Sequence, residues 1–208
     1  MAKQTNTAGK PRRRPVQSRS QETSRAIRDA FVRLLDEKPY AQVTIREIVL
    51  VAGVGLGTFY EYYDSKDALA RACVHLRTKE LLQALTRARA QLGVYDLAAG
   101  VAAAIDAQAA IYEAAPREWA QHALLERHKS DLKYYLQAYE LFMAQWRGLV
   151  EGASDWPPDR PADGATRLAF TLAYGAFSYA LMRDGAQVDF ARLRRELVRG
   201  VLACLAAV

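Results

Sequence analysis

Between Thr44 and Tyr63 the sequence sets two helix starts around one helix stop, and that punctuation admits few folds. Thr44-Ile45-Arg46-Glu47 is an S/T-x-x-E capping box. In such a box the Thr44 hydroxyl accepts the Glu47 amide proton while the Glu47 carboxylate returns to the Thr44 amide. The helix it opens runs to Ala52 and stops at Gly53, a residue suited to the left-handed conformation that ends helices. After Val54, Gly55 is the N-cap of a third helix from about Leu56 to Tyr63, with Val54 placed to staple onto Phe59. Two short helices joined by a tight glycine-containing turn form a helix-turn-helix. Upstream, Ile27, Ala30, Phe31, Leu34 and Leu35 keep the spacing of an amphipathic helix over 20–37, which Pro39 ends by restricting Lys38.

A recognition helix exposes one face to a DNA groove and packs its other face on the helix before it. Phe59 and Tyr63, four residues apart, fit the packing face, with Leu56 one turn earlier on the same side. That leaves Gly57, Thr58, Glu61 and Tyr62 outward and Tyr60 at the edge. Gly57 lets backbone approach closely, Thr58 offers a hydroxyl and a methyl, and the Tyr60 and Tyr62 phenols can donate to phosphates. A carboxylate such as Glu61 needs a donor beside a polyanion, and the base-edge donor that suits it is the cytosine amino group. Arg46 and Lys66 stand in first helical turns, where the macrodipole disfavours a cation by about 0.3–1 kcal/mol unless a phosphate reverses the sign. The plain alternative is that both extend into water.

The remainder predicts helices over 65–92, 96–114, 118–126, 130–151, 163–183 and 189–206, with no strand alternation and a loop carrying Pro157, Pro158 and Pro161. The apolar stretch from Leu168 to Met182 spans roughly 22 Å as a helix, short of a bilayer core of about 30 Å, so no membrane partner is expected. Hydrophobic residues make up 51% and charged residues 25%, the balance of an ordinary globular chain rather than a disordered one. The net charge of +6 has one origin: residues 1–20 hold Lys3, Lys10, Arg12, Arg13, Arg14 and Arg19 without an acid, while the rest balances 23 bases against 23 acids. Residues 1–19 therefore read as a basic disordered arm able to enter a minor groove or track phosphates. They lack the apolar run of a secretory signal, and Cys73 and Cys204 lack paired spacing, so a reducing cytoplasm is the expected setting.

The segments Thr44-Ile45-Arg46-Glu47-Ile48 and Ala52-Gly53-Val54-Gly55-Leu56-Gly57-Thr58-Phe59-Tyr60-Glu61-Tyr62-Tyr63-Asp64-Ser65-Lys66-Asp67-Ala68-Leu69 resemble the DNA-binding domain of the TetR family of bacterial transcriptional regulators. The resemblance covers about residues 21–70. It implies an all-α fold, with a three-helix helix-turn-helix DNA-binding domain over 20–66 followed by a larger helical effector-binding and dimerisation domain over 67–208. It also implies that Thr44, Tyr60, Tyr62 and Lys66 hold phosphates, whereas Arg46, Gly57, Thr58 and Glu61 fall where the family reads bases. Gly55, counted with the DNA-binding set, stands where the family often has Ser or Thr, and Glu61 replaces a frequent His or Tyr.

In the second domain the resemblance implies that helices four to seven enclose a small-molecule pocket and that the last two helices build a dimeric bundle. An aromatic set with polar tips supplies the pocket candidates: Gln108, Tyr112, Trp119, His122, Tyr135, Tyr139, Phe142, Trp146, Phe170, Tyr174 and Phe177. The dimer candidates are the small-residue stripe Ala169, Ala173, Ala176 and Ala180 with Leu193, Leu197 and Val201, against the alternative that these pack within one subunit.

The expected function is thus that of a homodimeric repressor released from double-stranded operator DNA by a small apolar or aromatic effector. The alternative is an activator, or a regulator controlled by a protein partner; a closed interior would leave a ligand sensor without a site. No cofactor or metal is implied. Gly53 to Thr58 lacks the strand and third glycine of a dinucleotide fingerprint, and the Glu118, His122 and Glu126 spacing reads as surface pairing rather than a metal site. No nucleophile or hydrolase motif supports an enzyme.

Overall fold

The computed structural model describes the backbone of residues 15–207 and the side chains of residues 19–207. Those residues form nine α-helices and two short 3-10 turns, in two compact units that meet between Lys66 and Asp67.

The first unit holds α1 (Pro15–Glu37), α2 (Ile45–Ala52) and α3 (Leu56–Tyr62), with a 3-10 turn at Tyr40–Gln42 ahead of α2. The amphipathic face of α1 is buried as its spacing requires, Ile27 and Phe31 completely and Ala30, Leu34 and Leu35 nearly so. Val43, Ile48, Phe59 and Tyr63 complete this small core. Helix α1 already includes residues 15–19, a correction to the reading of the whole 1–19 segment as disordered. Proline is tolerated in the first turn of a helix, where its missing N–H has no partner to lose. Residues 1–14, the rest of the expected basic arm, lie outside the described residues.

The capping box forms as the sequence dictates. Glu47 N donates to Thr44 Oγ1 at 3.3 Å and Thr44 N to Glu47 Oε2 at 2.9 Å. Helix α2 ends at Gly53 with φ 67° and ψ 31°, and Val54 N reaches back to Val49 O at 3.0 Å. This is the paired closure that a left-handed residue just past a helix permits, and a side chain there would be strained.

The second unit holds the rest of α4 (Lys66–Gln91), then α5 (Leu97–Ala114), α6 (Pro116–Lys129), α7 (Leu132–Glu151), α8 (Asp163–Asp184) and α9 (Phe190–Ala207). Asp96 and Asp131 cap α5 and α7 through bonds to the Ala99 and Tyr134 amides, each at 2.7 Å. Helix α8 is central, packing against α6, α7 and α9, while α5 packs on α7 and α9. Helices α5 and α7 approach closely at Gly100, where a Cβ would come within 2.9 Å of the Tyr95 ring and 3.1 Å of Leu149.

This packing corrects four of the dimer candidates. Ala169, Ala173 and Val201 are fully buried within a single chain and Leu197 nearly so, so they seal the second unit's own core rather than face a partner. Small residues on a helix permit close approach to any neighbour, and here that neighbour belongs to the same subunit. Ala176, Ala180 and Leu193 stay partly exposed. The open face of α8 is instead carried by Leu168 and Tyr179, 42% and 63% exposed, with Gly175 between them and nothing within 4 Å of its Cβ position.

Candidate functional site

In the first unit the outward residues gather at the start of α2 and along α3. Arg46, Gly55, Gly57 and Glu61 are exposed, Thr58 is half-buried, and nothing lies within 4 Å of the Gly57 Cβ position. Phe59 and Tyr63 fill the opposite face, the Tyr63 phenol meeting Ser24 Oγ at 2.8 Å and accepting from Arg28 at 3.2 Å. Tyr60 stands half out of the surface with its ring edge-on to Phe59 at 5.4 Å. Leu56 departs from its expected place on the packing face, being 43% exposed. Helical side chains lean over the preceding turn, and a residue in the first position has none to cover.

Three candidates already hold partners inside the unit. Thr44 Oγ1 donates to Glu47 Oε2 at 2.8 Å, and Tyr62 donates to Ser20 Oγ at 3.2 Å. Lys66 Nζ donates to Val43 O at 2.6 Å and Tyr40 O at 2.8 Å, and lies 4.3 Å from the centre of the Tyr40 ring. The Glu47 carboxyl is lowered from 4.5 to about 2 by its bond from Lys38 and those from Thr44, so the box at the start of α2 is charged at neutral pH.

In the second unit seven pocket candidates meet around a cavity of about 20 Å³: Gln108, Tyr112, Trp119, His122, Phe142, Phe170 and Tyr174. That volume is close to the space of a single water. Tyr135 does not join them, standing 47% exposed on α7. Trp146 and Phe177 are fully buried core, Phe177 packing 4.8 Å from Tyr112, and Tyr139 sits behind the wall, edge-on to Phe170 at 5.5 Å.

The cavity also has polar walls that the aromatic pattern did not single out, Thr78, Glu126 and Ser178. Glu126 is partly buried and accepts from the Tyr174 phenol at 2.8 Å, a correction to its reading as a surface pairing residue. Trp119, His122 and Glu126 are spaced i, i+3, i+7 on α6, the signal that could have placed all three on one inward face. Glu118, four residues before His122, points elsewhere and pairs with Arg77. Among the described residues no group of three metal-ligating side chains occurs.

Burial governs the electrostatics. It lowers the His122 imidazole from 6.5 to about 4, helped by the positive charge of Arg77 and opposed by Val74 O, 3.3 Å from Nε2; the ring is neutral at pH 7. Burial raises the Glu126 carboxyl, opposed by the Tyr174 hydrogen bond and by the positive charge of Arg127. Trp119 Nε1 is buried without a hydrogen-bond partner.

Comparison with known proteins bears on each unit. Residues 27–73 match the family model described as bacterial regulatory proteins, tetR family. Two curated relatives, HTH-type transcriptional regulators of Mycobacterium tuberculosis, are 40% identical over 55 residues, which are 26% of this chain and 27% of each relative. The matched stretch thus spans about a quarter of the length of those relatives. Solved structures extend the likeness of fold. The fatty acid degradation regulator FadR from Bacillus halodurans superposes with a TM-score of 0.70 at 19% identity, over 86% of this chain and 94% of that one. FadR from Bacillus subtilis, solved in complex with stearoyl-CoA, gives 0.70 at 15% identity over 86% and 98%. A TetR-like regulator from Rhodococcus sp. RHA1 gives 0.67 at 18% identity over 94% and 100%. No helix among the described residues is long and apolar enough to cross a membrane. The helix-turn-helix of the first unit thus matches the tetR family model over residues 27–73, and the chain shares its helical fold with these solved regulators.

Proposed function

We propose that the protein is a cytoplasmic homodimeric repressor that binds operator DNA through α2 and α3 and leaves it when a small effector enters the second unit. The observation that carries the DNA reading is the outward set Arg46, Gly57, Thr58 and Glu61 on two helices held by the left-handed turn at Gly53. Phe59 and Tyr63 anchor the back of α3, so its front presents a fixed shape to a groove. Two such units related by a two-fold axis would read half-sites about 34 Å apart. Leu168, Gly175 and Tyr179 offer the open face of α8 for that pairing.

Effector control is supported by the polar groups gathered in an aromatic interior, Gln108, His122, Glu126 and Tyr174, a lining typical of small-molecule sites. Helix α4 begins at Lys66, the last residue of the first unit, and supplies Thr78 and Leu81 to the cavity. A shift of α4 on effector binding would thus be felt where the DNA-binding unit ends. Control by a protein partner is the second reading, and the small volume of the cavity, about 20 Å³, favours it.

The test is a titration of the protein against duplex DNA from its own promoter region at several salt concentrations. Specific retention with a steep salt dependence is the expected result, and retention no stronger than on unrelated duplex would refute the reading. For effector control, linkage requires operator DNA to weaken effector binding by the factor through which effector weakens DNA binding. Equal effector affinity with and without operator would exclude it.

A further inference from the structure

We propose that the interior site of the second unit takes an amphipathic cation, an aromatic or apolar body carrying a protonated or quaternary nitrogen, held between Glu126 and the rings of Phe142, Phe170 and Tyr174. The inference rests on the effector-responsive reading above and adds the sign of the effector's charge.

The lining decides that sign. Among the described residues it contains one acid, Glu126, and neither Lys nor Arg. Arg77, on α4, is paired with Glu80 and Glu118, lies 5.2 Å from the centre of the Trp119 ring, and is not part of the lining. His122 is held neutral by burial. A carboxylate taken out of water is costly unless a charge or several hydrogen bonds compensate it. Tyr174 supplies one hydrogen bond at 2.8 Å, and the positive charge of Arg127, which lies over the Tyr179 ring outside the lining, offsets the effect of burial only in part, so a cation beside Glu126 would be bound in part by relief of that cost.

The walls suit the same ligand, since Phe142, Phe170 and Tyr174 all line the cavity and a cation can meet the ring faces that their mutual stacking leaves uncovered. Phe170 stacks on Phe142 at 5.5 Å with 18° between planes, and on Tyr174 at 5.7 Å with 29°. The faces of aromatic rings carry negative potential and attract ammonium groups, most strongly where water is excluded. Trp119 Nε1, a buried donor without a partner, is available to an acceptor on the ligand's body. An anionic head group would meet Glu126 with no opposing cation in the lining. Stearoyl-CoA, bound by the Bacillus subtilis regulator of similar fold, therefore has the wrong sign for this interior.

A cavity of about 20 Å³ must widen to admit any such body. Probes of equal shape bear that cost equally, and their ratio of affinities isolates charge. The experiment is a tryptophan-fluorescence and calorimetric titration of the full chain with phenyltrimethylammonium, its neutral isostere tert-butylbenzene, and benzenesulfonate. The cation is expected to bind roughly tenfold or more tightly than the neutral isostere, and the anion not to bind. In Glu126→Gln, which retains an acceptor for Tyr174, the preference for the cation should shrink to what the rings alone supply while the neutral probe is unchanged. Should that variant fail to fold, the wild-type ratio decides alone.

Equal or tighter binding of the neutral probe, binding of benzenesulfonate, or an undiminished preference in Glu126→Gln would each overturn the inference while leaving an effector pocket standing. Binding of none of the three would overturn the inference and count against the pocket itself.

Discussion

The ammonium of Lys66 donates to the carbonyl oxygen of Val43 at 2.6 Å, tying the first residue of α4 to the strand of chain that leads into α2. With the second bond to Tyr40 O at 2.8 Å, it ties together the carbonyls of the first residue of the 3-10 turn and of the residue just past its end. Lys66→Ala is therefore expected to lower the stability of the first unit by about 1–3 kcal/mol, read as a lower thermal midpoint. It should weaken binding to all DNA sequences with little change in the slope of log K against log salt. A fall in that slope of about one unit would instead assign the ammonium to a phosphate.

Glu61 is exposed on α3 and carries the one acid of the proposed reading face. Glu61→Ala is expected to change which operators are selected from a randomised duplex library, at a cost of about 1–3 kcal/mol for the preferred base. Thr58 variants should do the same at a neighbouring position. An unaltered base preference in Glu61→Ala would remove its reading role.

The basic residues before α1 bear on affinity rather than choice. Deleting residues 1–14, which removes Lys3, Lys10, Arg12, Arg13 and Arg14, should weaken DNA binding at low salt and lower the salt slope by up to about four units. Base preference should persist. Undiminished affinity at low salt would show that the arm stays off the duplex.

Acid should act through His122. Its folded value of about 4 lies below the ordinary 6.5, so below 6.5 the unfolded chain binds a proton that the folded chain refuses. The sign follows: stability is full above pH 6.5 and declines as pH falls from 6.5 toward 4, by roughly 3 kcal/mol for a shift of this size. Urea midpoints measured across that window should show the decline in the wild type and a flatter profile in His122→Gln.

The open face of α8 separates fold from assembly. Gly175 has nothing within 4 Å of its Cβ position, whereas Ala173 is fully buried. Gly175→Arg should leave the thermal midpoint within about 1 kcal/mol equivalent and shift sedimentation toward the monomer, with weaker operator binding. Ala173→Arg should instead prevent folding. A dimer that survives Gly175→Arg would move the interface elsewhere.

How far the sequence could be read depended on the range of the interaction. Thr44, Glu47 and Gly53 were legible because caps and left-handed stops are settled within a few residues. The buried face of α1 was legible because helical period selects a face. Period does not select the partner, and so Ala169 and Ala173 pointed to a second subunit when their neighbours belong to the same chain. The contacts of Lys66 and Glu126 escaped for a related reason: their partners, Val43 and Tyr174, lie 23 and 48 residues away, beyond any local pattern. Leu56 shows the limit of periodicity at a helix end, where the right angular position still leaves a side chain in water.

Helix α4 runs unbroken for 26 residues from Lys66 to Gln91. A rod of that kind does not absorb bending along its length; it conveys leverage. Thr78 stands about 18 Å along the axis from Lys66, so a tilt of about 10° pivoting there swings the helix's first residue by about 3 Å. That is comparable to a hydrogen-bond length, enough to break the bonds of Lys66 to Val43 and Tyr40.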